Sequence, residues 1–143
     1  MNPTISDQEL KELREFKSEV IELYWEKFGT FYLHIMPHPD LEIGRRGLVG
    51  EEKELGIILV LGPKAVKDYF LDEKNLYCEL QFGFTWEKLT LPWDCLFRVY
   101  DKAQNAVTQM RFFTAPVPTA EDPGNTAEHS NIIQVDFGGK RKK

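Results

Sequence analysis

Leu76–Leu91, LYCELQFGFTWEKLTL, is the stretch on which the fold turns. Leu76, Cys78, Leu80 and Phe82 alternate with Tyr77, Glu79 and Gln81, and successive strand residues face opposite sides of a sheet. The alternation predicts an antiparallel strand with one buried face, within Asn75–Phe84. Gly83 and Phe84–Trp86 make a tight connection to a second strand, Glu87–Leu91, which Pro92 ends because proline cannot donate to a ladder. Upstream, GIILVLG (Gly56–Gly62) is a continuous apolar run, which reads as a central strand, Leu55–Leu61, covered on both faces. Further strands are expected at Thr30–Met36, near Leu41–Ile43, at Phe97–Tyr100 and at Thr108–Phe113, with Asp101–Val107 as a hairpin loop.

Before Gly29 the period is helical. Ser6–Glu9, SDQE, is a capping-box pattern, and Ile5 and Leu10 stand where a hydrophobic staple would lie. Leu10, Leu13, Phe16 or Lys17, Val20, Tyr24 and Phe28 recur at helical spacing, and Gly29 is the expected stop. Leu23 and Trp25 widen the apolar surface beyond one stripe. Such a helix needs two surfaces to bury against, its own domain and a second copy of itself. One helix followed by short strands gives an α+β domain built on a small bent antiparallel sandwich or partial barrel.

The composition bounds the function. The chain has 143 residues, 42% of them hydrophobic, enough for one domain with a real core. Its formal net charge is −5, with positive charge concentrated only at the extreme C-terminus, so the body lacks the basic face of a nucleic-acid binder. No apolar run approaches membrane-spanning length, and MNPTISDQEL lacks the basic and apolar regions of a signal peptide. The expectation is a soluble cytoplasmic protein.

Catalytic and metal constellations are missing too, and neither an enzyme nor a cofactor is expected. His34 and His38 are four apart, but Pro37 and Pro39 forbid the helix on which that spacing would bind metal. Cys78 falls on the apolar face of its strand, and Cys95 has no histidine near it in sequence. GPKAV lacks the spacing of a phosphate-binding loop, and Asp136-Phe137-Gly138 stands without the other kinase elements.

The C-terminus reads differently from the body. Pro116–Asn131, PVPTAEDPGNTAEHSN, holds three prolines and one Val as its only sizeable apolar residue, too little to offset the entropy of ordering it. Ile132, Ile133, Val135 and Phe137 then return abruptly, followed by Lys140, Arg141, Lys142 and Lys143. An apolar and basic motif on a flexible tether is a ligand offered to another protein. The organisation is therefore a domain over 1–115, a disordered linker over 116–131 and a docking peptide over 132–143.

From Val60 to Lys102 the chain resembles the SspB family, the specificity-enhancing factors of the ClpXP protease. Gly62-Pro63-Lys64-Ala65-Val66, Leu80-Gln81-Phe82-Gly83, Leu89-Thr90-Leu91-Pro92 and Val99-Tyr100 keep that family's order and spacing without a gap. The N-terminal helix with its Tyr24-Trp25 pair, the Phe31–Met36 strand and the tail are similar as well. Departures lie at Gly62, Lys64, Phe84 and the long loop Gly44–Glu54; the last two fall at a recognition rim.

The resemblance implies an Sm-like sandwich, a homodimer joined through the helix (Leu13, Val20, Tyr24, Trp25), and a groove for the ssrA tag, the degradation peptide added to stalled translation products. Carried over by position, the groove residues are Gly62, Pro63, Lys64, Ala65, Tyr77 and Gln81. It also implies that the tail docks on the ClpX unfoldase, which makes the protein a proteolysis adaptor. The rival expectation is an Sm-like RNA-binding protein whose basic tail touches phosphates, against which the acidic body argues. A small metal-dependent enzyme using His34 and His38 is the third.

Overall fold

The computed structural model describes residues 5–120. The tail residues Ile132, Ile133, Val135, Phe137 and Lys140–Lys143 lie outside them, as does most of the expected linker. Ten strands and two helices follow one another: β1 (Ile5–Ser6), α1 (Asp7–Phe28), β2 (Phe31–Ile35), β3 (Glu42–Ile43), α2 (Glu52–Leu55), β4 (Ile57–Leu61), β5 (Val66–Leu71), β6 (Asn75–Phe82), β7 (Thr85–Pro92), β8 (Leu96–Asp101), β9 (Val107–Gln109) and β10 (Thr119–Ala120). Two four-stranded antiparallel sheets, β4-β2-β8-β9 and β3-β7-β6-β5, form the body. The class is α+β.

Helix α1 starts where the capping box predicts. The Ser6 hydroxyl accepts from the Glu9 amide at 3.0 Å, and the Glu9 carboxylate accepts from the Ser6 amide at 3.1 Å. Two otherwise orphaned donors are thereby satisfied, typically worth about 1 kcal/mol. Ile5 and Leu10 are both buried, as a staple requires. Gly29 ends the helix at φ +75°, a conformation that costs glycine nothing.

The helix is fastened to the 3-10 turn Trp93–Cys95, which joins β7 to β8. Lys17 is fully buried, and its ammonium donates to the carbonyl oxygens of Trp93 at 2.7 Å and Leu96 at 2.9 Å. One turn earlier, Arg14 makes a bidentate pair with Asp94 at 2.8 and 2.9 Å. Tyr24 reaches Thr108 of β9 through its hydroxyl at 2.8 Å. Ile21, Phe31, Leu33, Leu61, Leu76, Leu91, Trp93 and Val99 fill the centre.

The strand β6 pairs with β7 over its whole length, Asn75 opposite Pro92 through Phe82 opposite Thr85. Their connection is a two-residue turn in which Gly83 alone has positive φ, +66°, as a hairpin with glycine first demands. Phe84 therefore needs no glycine-like backbone, and its ring stands fully exposed at the hairpin tip.

Three elements differ from expectation. The run Ile57–Leu61 is an edge strand: among the described residues β4 pairs with β2 alone, and its burial alternates, with Ile58 at 54% and Val60 at 40% exposure. Apolar residues on both faces did not mean protein on both faces. β5 was unread because a bulge between Lys67 and Phe70, with Asp68 at φ +50°, breaks its alternation. The expected strand Thr108–Phe113 ladders only over Val107–Gln109; beyond it the Met110 and Phe113 amides donate singly to Phe97 and Asp94. In addition, Thr119–Ala120, within the expected linker, pairs parallel with Ile5–Ser6.

Candidate functional site

Where β4 leaves one sheet and β5 enters the other, the two sheets part and leave a cleft of about 300 Å³. Its walls are Ile58, Leu59 and Val60 of β4, Leu80, Gln81 and Phe82 of β6, and Trp86 of β7; Lys64 and Ala65 of the connecting turn close one end. Three of the sequence-derived groove residues, Lys64, Ala65 and Gln81, thus come together from separate elements.

The other three have different places. Gly62 is buried, and its carbonyl accepts from the Ala65 and Val66 amides at 3.0 and 3.2 Å to hold the turn. A Cβ there would stand 2.9 Å from the Thr30 hydroxyl, so any side chain would push against Thr30, the residue before β2. Pro63 is exposed within the turn, outside the cleft lining. Tyr77 shares the outward face of Gln81, but it stacks on Phe70 at 5.9 Å and its hydroxyl accepts from the Asn75 side-chain Nδ2 at 2.9 Å. It too is outside the lining.

Sequence reading missed Ile58, Leu59, Val60, Leu80, Phe82 and Trp86. For Ile58 and Val60 the signal was present, as a run that stays apolar on the face an edge strand exposes. Trp86 is 38% exposed, with the Lys67 ammonium 4.2 Å from its ring centroid. That ammonium also lies 3.8 Å from Glu79. Lys64 adds a second exposed cation at the rim.

The long loop 44–54 buttresses this wall. Arg46 places its guanidinium over the Phe82 ring, 4.9 Å from the centroid, and is fixed by a bidentate pair with Glu52 at 2.9 and 3.0 Å. Those bonds, with a donation from the Val49 amide, hold the Glu52 carboxyl below its ordinary pKa. α2 is the turn that presents Glu52. Gly44 passes so close to Glu87 that a Cβ would overlap its side chain.

The titratable candidates sit elsewhere. His34 contacts the Leu55 carbonyl at 2.7 Å, while His38 is buried in the next loop, its Nδ1 accepting from the Asp40 amide at 3.0 Å. Among the described residues no three histidine, cysteine or carboxylate side chains gather as a metal site. Cys78 and Cys95 are buried, and burial pushes both thiols up to about 12, away from nucleophilic thiolate character.

The expected self-association residues split. Val20 and Tyr24 are buried against the chain's own sheet, and Trp25 stacks on Tyr69 at 4.3 Å. Leu13 is half-buried. Phe16 and Leu23, seven apart, are 48% and 50% exposed on the flank of α1. No helix among the described residues is long and apolar enough to cross a membrane. Compared with protein-family models and with curated proteins, the chain matches none.

Proposed function

We propose that the protein is a peptide-binding adaptor of the SspB type, which holds ssrA-type degradation tags and delivers them to the ClpX unfoldase of ClpXP in the cytoplasm. The observation that carries this reading is the cleft, in which an apolar wall (Ile58, Val60, Phe82, Trp86), a polar side chain (Gln81) and a rim cation (Lys64) meet beside a strand edge. An extended peptide of mixed polarity needs that combination: backbone groups for affinity and alternate side-chain contacts for selectivity. Bond chemistry plays no part.

The C-terminal residues Ile132–Lys143 supply the second contact, with apolar anchors at Ile132, Ile133, Val135 and Phe137 and steering by Lys140–Lys143. Tethering makes the second binding event intramolecular, at effective concentrations of order millimolar for a short flexible linker. The two-sheet body is assigned to the bent Sm-like sandwich. The seam of the homodimer is assigned to Phe16 and Leu23 with Leu13, since Val20 and Tyr24 are already buried in the protomer.

The test is fluorescence-anisotropy titration of an ssrA-type peptide, paired with a degradation assay using ClpXP. Binding that is saturable and weakened by Lys64→Glu is expected. Deletion of 132–143 leaves peptide binding intact and abolishes stimulated degradation. A truncated chain that still stimulates normally ends the tether reading, and an RNA that binds with a steep salt slope in place of the peptide ends the adaptor reading.

A further inference from the structure

One flank of α1 carries two stripes side by side. Phe16 and Leu23, seven apart and 48% and 50% exposed, form the first. Glu12, Glu19 and Glu26, all exposed and again seven apart, form the second. Residues three and four apart are neighbours on a helix surface, so Glu12 and Glu19 border Phe16, while Glu19 and Glu26 border Leu23. Glu15 and Glu22 are exposed as well and widen the acidic side. Counter-charge is short here. Lys17 is buried and Arg14 is committed to Asp94, which leaves Lys11 and Lys27 as the exposed cations of the helix. Among the described residues no lysine or arginine forms an ion pair with Glu12, Glu19 or Glu26.

The described chain ends beside the start of this same helix. Thr119–Ala120 pairs parallel with Ile5–Ser6, and Ser6 is the N-cap of α1. Paired strands lie roughly 4.8 Å apart, so residue 121 departs from next to the first turn of α1. The 22 residues of α1 extend about 33 Å. Residues 121–131 can span up to about 36–40 Å. Every turn of the flank is therefore within reach of Ile132–Lys143.

We propose that the chain's own segment Ile132–Lys143 docks on this flank of α1. Ile132, Ile133, Val135 and Phe137 lie over Phe16 and Leu23, and Lys140–Lys143 face the carboxylates. The charges select this occupant: a second copy of α1 brings the same carboxylates against their like, whereas the segment brings four cations. A tether supplies an effective concentration of order millimolar, so a weak contact is enough to populate the docked form. While docked, the segment keeps a second copy from Phe16 and Leu23, and its own apolar residues are withheld from any other partner. Docking uses nothing in the cleft, so it stands or falls apart from tag recognition.

The experiment places a nitroxide label at Gly139→Cys in the full-length chain, between the apolar and basic halves of the segment. Cys78 and Cys95 are buried and do not compete for the label. Amide resonances of the isotope-labelled protein then report which residues the label approaches, with no tag and no unfoldase present. Broadening strongest over Phe16–Glu26 is expected, whereas tethering alone favours the first turn. The Glu12→Gln, Glu19→Gln, Glu26→Gln triple variant, altered only at exposed positions, keeps the fold and should weaken the broadening severalfold, through three small pairs lost together. Broadening that fades steadily from the first turn, or that centres on Gln81 and Trp86, overturns the proposal. Broadening unchanged in the triple variant overturns it too. So does equal broadening in a mixture where label and isotope sit on different molecules, because the contact is then between copies.

Discussion

Arg46 lies over the ring of Phe82, 4.9 Å from its centroid, and this contact ties the long loop 44–54 to the wall of the cleft. The guanidinium is itself held by Glu52, so the loop is a brace with both ends fixed. Without it, the Phe82 ring loses the guanidinium that covers one of its faces. Arg46→Ala is expected to lower peptide affinity severalfold by anisotropy while costing about 1 kcal/mol or less in urea unfolding, the usual range for an exposed cation–π contact. Unchanged affinity would separate the loop from recognition.

Val60→Asp places a carboxylate in the cleft at a residue that is 40% exposed. Stability should change by roughly 0.5 kcal/mol or less, because a surface substitution removes little packing. Peptide binding should fall at least tenfold in the same preparation. A large drop in melting temperature instead would mean that the outer face of β4 is covered in solution.

Lys17→Met tests the fastening of α1 to the turn at 93–95. The substitution spares the cost of burying an ammonium, but it strips the Trp93 and Leu96 carbonyls of their donor. Buried acceptors left unpaired cost about 1–3 kcal/mol each, so a net loss of roughly 2–4 kcal/mol is expected by urea unfolding. A neutral or stabilising outcome would show that the two carbonyls find water.

The same lysine gives stability an unusual pH dependence. Burial pulls its pKa from 10.5 down to about 8, so above pH 8 the unfolded chain binds more protons on this group than the folded chain, and stability rises with pH. Burial acts oppositely on Cys78 and Cys95, raised from 9.0 to about 12, and on Tyr69, raised from 10.0 to about 12. There the folded chain holds more protons, and stability is lost as pH climbs past 9. Unfolding free energy should therefore rise by only about 0.2 kcal/mol from pH 8 to a shallow maximum just below 9 and then fall steeply. Lys17→Met should remove the rising limb alone.

Leu23→Glu and Phe16→Glu address self-association. Both side chains are about half exposed, so neither change empties a core. Sedimentation equilibrium at micromolar concentration should give a dimer for the parent chain and a monomer for the pair of variants. A parent chain that is already monomeric removes the helix seam.

Local chemistry was enough for several of these elements. Ser6 and Glu9 start α1 and Gly29 ends it because capping is settled within one turn of chain. The alternation of Leu76, Cys78, Leu80 and Phe82 needs no partner to define which face goes inward. Gly83 makes the hairpin from its own backbone freedom. Lys64, Ala65 and Gln81 were named by the family resemblance and not by any local pattern.

What tertiary structure alone decided is which edges stay bare. Ile57–Leu61 carries the same residues whether a strand lies beside it or not, and its pairing with β2 alone among the described residues is what leaves Ile58 and Val60 exposed on the wall of the cleft. β5 begins only at Val66, after the turn at 62–65 and opposite Leu80, so among the described residues Gln81 and Phe82 pair with β7 alone, while Tyr77, on the same face by parity, is claimed by Phe70. Capping and alternation are short-range and can be read from neighbours in the chain; an unpaired edge is set by where distant strands stop, and no window of sequence contains that.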